Sequence, residues 1–227
     1  MRLSIIGPGK TELHFQKFLN IPKNKLIKEI NEIAKTISDS GAEIEFLPDK
    51  GISLEIARSY KNQKGKKVIA VLPKSDKIFG IKHLEPYLNE KVNNKPIFDE
   101  IIDSDNWFKH DIIKALFGNA VLLLGKSPGT QLEINGAVYL LHIMKGLKEN
   151  INVSLCKIHP ELKADIDFTI FIYSPFILGG KLSKEDELYL KEYKIDFVYI
   201  NNPEELKQEL IKFNKISSNR VCNPPKR

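Results

Sequence analysis

Residues 3–6, 42–47 and 68–72 carry the closely spaced apolar positions of short strands, interrupted by Ser4 in the first and by Glu43 and Glu45 in the second. Stretches of helical spacing separate them. Leu26, Ile27, Ile30, Ile33, Ala34 and Ile37 mark one face of a helix predicted over 24–37, and Leu54, Ile56, Ala57 and Tyr60 mark the next. Gly7-Pro8-Gly9, Ser40-Gly41, Pro48-Asp49-Lys50-Gly51 and Pro73 punctuate these changes of period. A polar connection rich in Asn and Lys leads to a short strand predicted over 97–102. Asp103-Ser104-Asp105-Asn106 then offers N-caps for a helix over 107–117. The run at 121–124 predicts a central strand, and helical spacing follows from Glu133 at Ile134, Ala137, Val138, Leu141 and Met144. Residues 152–158, 168–173 and 197–200 read as further strands. Pro203 opens a last helix with Leu206, Leu210 and Ile211 on one face.

Strand, helix and strand at this spacing build right-handed βαβ units. The expected fold is α/β: a Rossmann-like three-layer α/β/α arrangement around a mainly parallel central sheet. In such sheets ligands gather beyond the carboxyl ends of the strands, which singles out the loops at 7–11, 48–53, 73–76, 103–110 and 125–133. With 227 residues, 42% of them hydrophobic and 28% charged, the chain has material for a single domain over 1–214. Residues 215–227 read as a flexible basic tail, because Lys215, Arg220, Lys226 and Arg227 stand there without an acidic residue. The tail holds much of the formal net charge of +6, while Asp and Glu are interspersed through the body. A folded nucleic-acid face therefore ranks below a small-molecule site.

No stretch approaches the roughly 20 apolar residues of a membrane span, and residues 1–6 are too short for a signal peptide. A cytoplasmic protein without a membrane partner is expected. Cys156 and Cys222 lie in dissimilar settings and are expected to be free thiols. Asp103-Ser104-Asp105 has a capping role and no clustered His or Cys beside it, so neither a metal nor a cofactor is expected.

The stretch from Ala120 to Glu133 carries the most chemistry. An apolar strand that feeds a helix through Gly125, Lys126, Ser127, Gly129 and Thr130 directs backbone N–H groups, and the positive end of a helix dipole, at one point. Anions, phosphates above all, bind at such a point. Gly7, Gly51 and Ser53, in the loops after the first two strands, are the candidates to complete the ligand site. A plainer reading stands beside this one: Thr130-x-x-Glu133 has the form of a capping box, and Ser127-Pro128 that of an N-cap followed by the first helical residue. Two nucleotide motifs are excluded. Gly9-Lys10-Thr11 is not a P-loop, since its first glycine would fall at Ser4, and Gly7-Pro8-Gly9 has Glu12 where a dinucleotide fingerprint needs its third glycine.

Gly129-Thr130-Gln131-Leu132-Glu133 after an apolar strand resembles the Pro-Gly-Gly-x-Gly-Thr-x-x-Glu motif of the LOG ("lysine decarboxylase-like") family, within the SLOG group of Rossmann-like nucleotide-binding domains. The stretches at 47–57 and 65–73 are similar to that family's Gly-rich turn, helix and strand, in the same order, so that the likeness spans residues 1–145. The resemblance implies a homodimer that binds a nucleoside monophosphate or another sugar-phosphate ligand and cleaves the N-glycosidic bond of a nucleoside 5′-monophosphate. Gly129 and Thr130 would hold the phosphate, and Glu133 would face the ribose as the catalytic carboxylate. The chain departs from the pattern at Gly125-Lys126-Ser127, which replaces Pro-Gly-Gly, and at Asp49-Lys50-Gly51, where one glycine remains of a run. The family's catalytic arginine has no match, and His110 or Lys109 in Trp107-Phe108-Lys109-His110 is the candidate to stand in for it. Two alternatives remain open: a non-catalytic nucleotide-binding or carrier protein, and a DNA-binding protein related to the DNA-processing members of the SLOG group.

Overall fold

The computed structural model describes residues 1–147, 155–164 and 168–221. Its core is a seven-stranded sheet made of β1 (Arg2–Ile6), β2 (Glu43–Phe46), β3 (Val68–Leu72), β6 (Glu100–Asp103), β7 (Ala120–Leu123), β8 (Thr169–Tyr173) and β9 (Asp196–Ile200). The strands lie in the order β6, β3, β2, β1, β7, β8, β9, and every neighbouring pair is parallel. Each parallel pair needs a crossover, and the helices α1 (Lys23–Asp39), α2 (Ile52–Asn62), α4 (Trp107–Ile113), α5 (Pro128–Leu147), α6 (Lys184–Glu192) and α7 (Pro203–Val221) flank the sheet. A short helix α3 (Glu85–Leu88) and a hairpin of β4 (Lys91–Val92) and β5 (Lys95–Pro96) fill the polar connection.

The alternation of side chains along each strand feeds two cores. Leu3, Ile5, Ile44, Phe46 and Phe171 face α1, α2 and α7, whereas Ile6, Val71, Val121, Leu123 and Ile170 face α4, α5 and α6. The three-layer α/β/α expectation therefore holds. Between β1 and β7 the chain direction of strand addition reverses, because Leu3 pairs with Ile44 on one side and with Ala120 on the other. A crevice opens at such a reversal beyond the strand ends.

Several elements differ from the sequence expectation. The fourth strand begins at Glu100, since Ile97 and Phe98 turn into the core beneath α2. The helix expected over 107–117 tightens after Ile113 into a 3₁₀ turn, Lys114–Phe117, a change that decides where Lys114 points. Of the strand expected over 152–158, residues 152–154 lie outside the described residues, and Leu155–Lys157 is a 3₁₀ turn. The last helix runs on to Val221, past the boundary expected at 214, and no Gly or Pro interrupts the sequence before Pro224. Residues 222–227, with Cys222, and the side chain of Cys156 lie outside the description. Among the described residues no helix is long and apolar enough to cross a membrane.

Candidate functional site

Three strand ends meet at the reversal. Beyond β1, Gly7-Pro8-Gly9 locks onto the loop after β2 through the Ile52 N–H, which donates to Pro8 O at 3.2 Å. Gly51 makes that contact feasible: it holds φ at +130°, and a Cβ there would fall 2.6 Å from Gly9 Cα. Beyond β7, the Leu124 N–H donates to Ile6 O at 2.8 Å, and the chain turns through Gly125 into α5. The three loops enclose a cleft of about 160 Å³. Six of the residues chosen from the sequence line it: Gly7, Ser53, Ser127, Gly129, Thr130 and Glu133.

The start of α5 shows how these residues divide their work. Ser127 is the N-cap and Pro128 the first helical residue, as one of the capping readings expects. The Thr130 hydroxyl accepts from the Ser127 N–H at 2.6 Å, and the Thr130 N–H donates to Ser127 Oγ at 3.3 Å. Thr130 therefore completes the cap, and Glu133 lies one turn further on; the capping box expected between Thr130 and Glu133 does not form. Among the described residues the Gly129 N–H has no partner, and the space beside its Cα is open. Glu133 makes no hydrogen bond to another described side chain. Burial pushes its carboxyl up to about 7; Lys114 lowers it, and Asp111 and Glu45 raise it further.

Lys114 forms part of the floor, paired with Glu45. The Lys114 side chain is 1% exposed and that of Glu45 0%, with Nζ 3.1 Å from Glu45 Oε2. Burial pushes the Glu45 carboxyl up, and Lys114 pulls it back together with Ser4, whose hydroxyl donates to it. Lys114 also lines the cleft together with Glu133, and its ammonium, ion-paired to Glu45, acts on the Glu133 carboxyl through its charge. Neither Lys114 nor Glu45 was among the candidates. The available signal was Glu45 itself, a charged residue between Ile44 and Phe46 at the centre of a covered sheet, where burial requires a cation beside it.

The remaining candidates lie elsewhere. Gly51 stands behind the wall of the cleft and shapes it. Gly125 turns at φ +125° against His14, where a Cβ would come within 2.6 Å of Nε2. Lys126 points away and pairs with Asp186 at 2.6 Å. His110 is buried beyond the cleft wall, with Nδ1 2.7 Å from Ser104 Oγ; burial first, and Lys114 second, hold it neutral with a pKa lowered to about 3. Lys109 pairs with Asp105 at 3.2 Å. Neither therefore reaches the cleft in place of an arginine. Among the described residues no group of His, Cys, Asp and Glu is arranged to hold a metal ion.

No known family's sequence profile matches the chain, and no curated protein matches it. Solved structures do. A molybdenum cofactor carrier protein from Chlamydomonas reinhardtii superposes with a TM-score of 0.54 at 15% identity, over 94% of this chain and 98% of its own. A molybdenum cofactor binding protein from the phototrophic bacterium Rippkaea orientalis gives 0.53 at 15% identity, over 94% and 96%. The structural-genomics target TM1055 gives 0.53 at 14% identity, over 93% and 98%. At these identities the likeness is one of fold, and over nearly its whole length the chain shares the Rossmann-like fold of these proteins.

Proposed function

We propose that the chain binds a phosphorylated small molecule, a nucleoside monophosphate or a related phosphoribosyl compound, in the cleft between β1 and β7, and that it serves as a binder or carrier. The observation that supports this most directly is the convergence of Gly7, Ser53, Ser127, Gly129 and Thr130 on one cleft at the amino end of α5. A phosphate seated there would take the free Gly129 N–H and the dipole of a 20-residue helix, with the Lys114 ammonium behind it. The resemblance to the LOG family supports the same ligand class and a homodimer. Two similar folds belong to molybdenum cofactor carrier and binding proteins, which favours holding over turnover.

Glu133 supports a second reading, hydrolysis of an N-glycosidic bond. A carboxyl that titrates near neutrality is matched to proton transfer at that pH. As the anion it would stabilise the positive charge that develops on the sugar. The two readings separate in one pair of measurements. Melting scans with a panel of nucleoside monophosphates and inorganic phosphate test binding, which at a ligand concentration near 100 Kd adds about 2.7 kcal/mol. Chromatography of the same mixtures tests release of free base. A shift without base release is the expected outcome; no shift with any compound refutes the site, and rapid base release that Glu133→Gln abolishes establishes the hydrolase.

A further inference from the structure

A second and larger cavity lies on the other side of α5. Its volume is about 520 Å³, within the roughly 300–1,000 Å³ of small-molecule sites. Tyr139 and Val138 of α5 form one wall and Tyr189 of α6, with Tyr193 just beyond that helix, the other; Leu123 and Ile170 of the sheet form the floor. Tyr193 is fixed by stacking on His142, with ring centroids 4.0 Å apart. Tyr139 and Tyr189 keep 59% and 53% of their surface exposed although both border an apolar hollow. The amides of Gln131 and Asn135 add donors and acceptors.

Charge at the mouth restricts the occupant. Lys126 is neutralised by Asp186 at 2.6 Å, and Glu185 lines the same cavity without an ion pair among the described residues. The balance is negative, opposite to what a phosphate requires, and tyrosine faces attract cations. We infer that this cavity is a second binding site, for a planar, uncharged or cationic heteroaromatic compound held against Tyr139 and Tyr189 and hydrogen-bonded at its edge by Gln131 and Asn135. The site is separate from the phosphate cleft, since α5 stands between them and Thr130 is the residue that borders both.

The test uses two fluorescent probes on the full chain: proflavine, a planar heteroaromatic cation, and 1-anilinonaphthalene-8-sulfonate, an aromatic anion. The net charge of +6 favours the anion at nonspecific surface sites. Proflavine should nevertheless bind about tenfold more tightly than the anion. Tyr139→Ala and Tyr189→Ala, both at exposed positions where folding is safe, should each weaken proflavine about threefold or more by the loss of aromatic contact. Inorganic phosphate should not displace it, and the phosphate-dependent melting shift should survive in both variants. Equal or tighter binding of the anion, affinity unchanged in both variants, displacement by phosphate, or no binding of proflavine overturns the inference and leaves the phosphate cleft untouched.

Discussion

Replacing Lys114 by Met would break the ion pair under the cleft while keeping an unbranched apolar stem in its place. The Glu45 carboxylate would then be fully buried with Ser4 as its one remaining hydrogen-bond partner among the described residues. Loss of one member of such a pair costs about 3–5 kcal/mol, whereas replacing both members by apolar residues is often neutral. In a domain of this size each kcal/mol moves Tm by about 2–4 °C, so Lys114→Met should melt roughly 6–20 °C lower. Adding Glu45→Met should recover most of that loss. The pH dependence has a definite sign. Without Lys114 the folded Glu45 carboxyl rises further above its unfolded value of 4.5. Its penalty is complete above the folded pKa and closes as pH falls toward 4.5. Urea denaturation of wild type, single and double variants at pH 5 and pH 8 measures all three quantities. A single variant within about 1 kcal/mol of wild type at pH 8, or a double variant no more stable than the single, would refute a buried ion pair of this strength.

Three further outcomes follow from the geometry of the cleft. Glu133→Gln should stabilise the free protein, because a carboxyl raised from 4.5 to about 7 opposes folding; the gain should grow between those values and level off above about 7, as read from Tm against pH. Gly129→Ala should leave the melting temperature unchanged or raise it slightly, since nothing lies within 4 Å of the added Cβ, yet it should weaken phosphate-ligand binding about tenfold in calorimetry by intruding on the approach to the N–H. Gly51→Ala should cost about 2 kcal/mol or more in urea, because φ +130° is hostile to a side chain and Pro8 O lies 2.7 Å from the new atom.

The sheet was legible because its signal is local. Five-residue runs such as Arg2–Ile6 and Val68–Leu72 are buried at every position, as strands of a parallel sheet covered on both faces must be. Where burial is uneven the pattern weakens. Helix α6 has one buried residue, Leu190, while Leu188 faces solvent, so no apolar stripe announces it. Its trace in the sequence is a cap, Ser183-x-x-Asp186, in which Ser183 Oγ accepts the Asp186 N–H at 3.0 Å. Ile97 and Phe98 misled in the opposite direction: they are apolar because they plug the core, and the ladder to β3 begins only at Glu100. An apolar pair reports burial and not the element that delivers it.

The site divides along the same line. The glycine and hydroxyl residues of the loops were recognisable because turns and caps are made by neighbours in sequence. Lys114 and Glu45 are 69 positions apart, and a lysine inside the helix expected over 107–117 shows no sign of burial until the 3₁₀ turn aims it inward. Pro128 lacks an N–H and belongs at the first helical position, which makes Ser127 the N-cap and places Thr130 inside the helix. Thr130 then cannot also be an N-cap, so the Thr130–Glu133 capping box and the Ser127–Pro128 start were mutually exclusive from the beginning. Choosing the proline-defined start leaves Glu133 one turn into α5 with no backbone group to satisfy. A carboxylate released from capping, on a helix face that closes over a buried lysine, is available for a ligand.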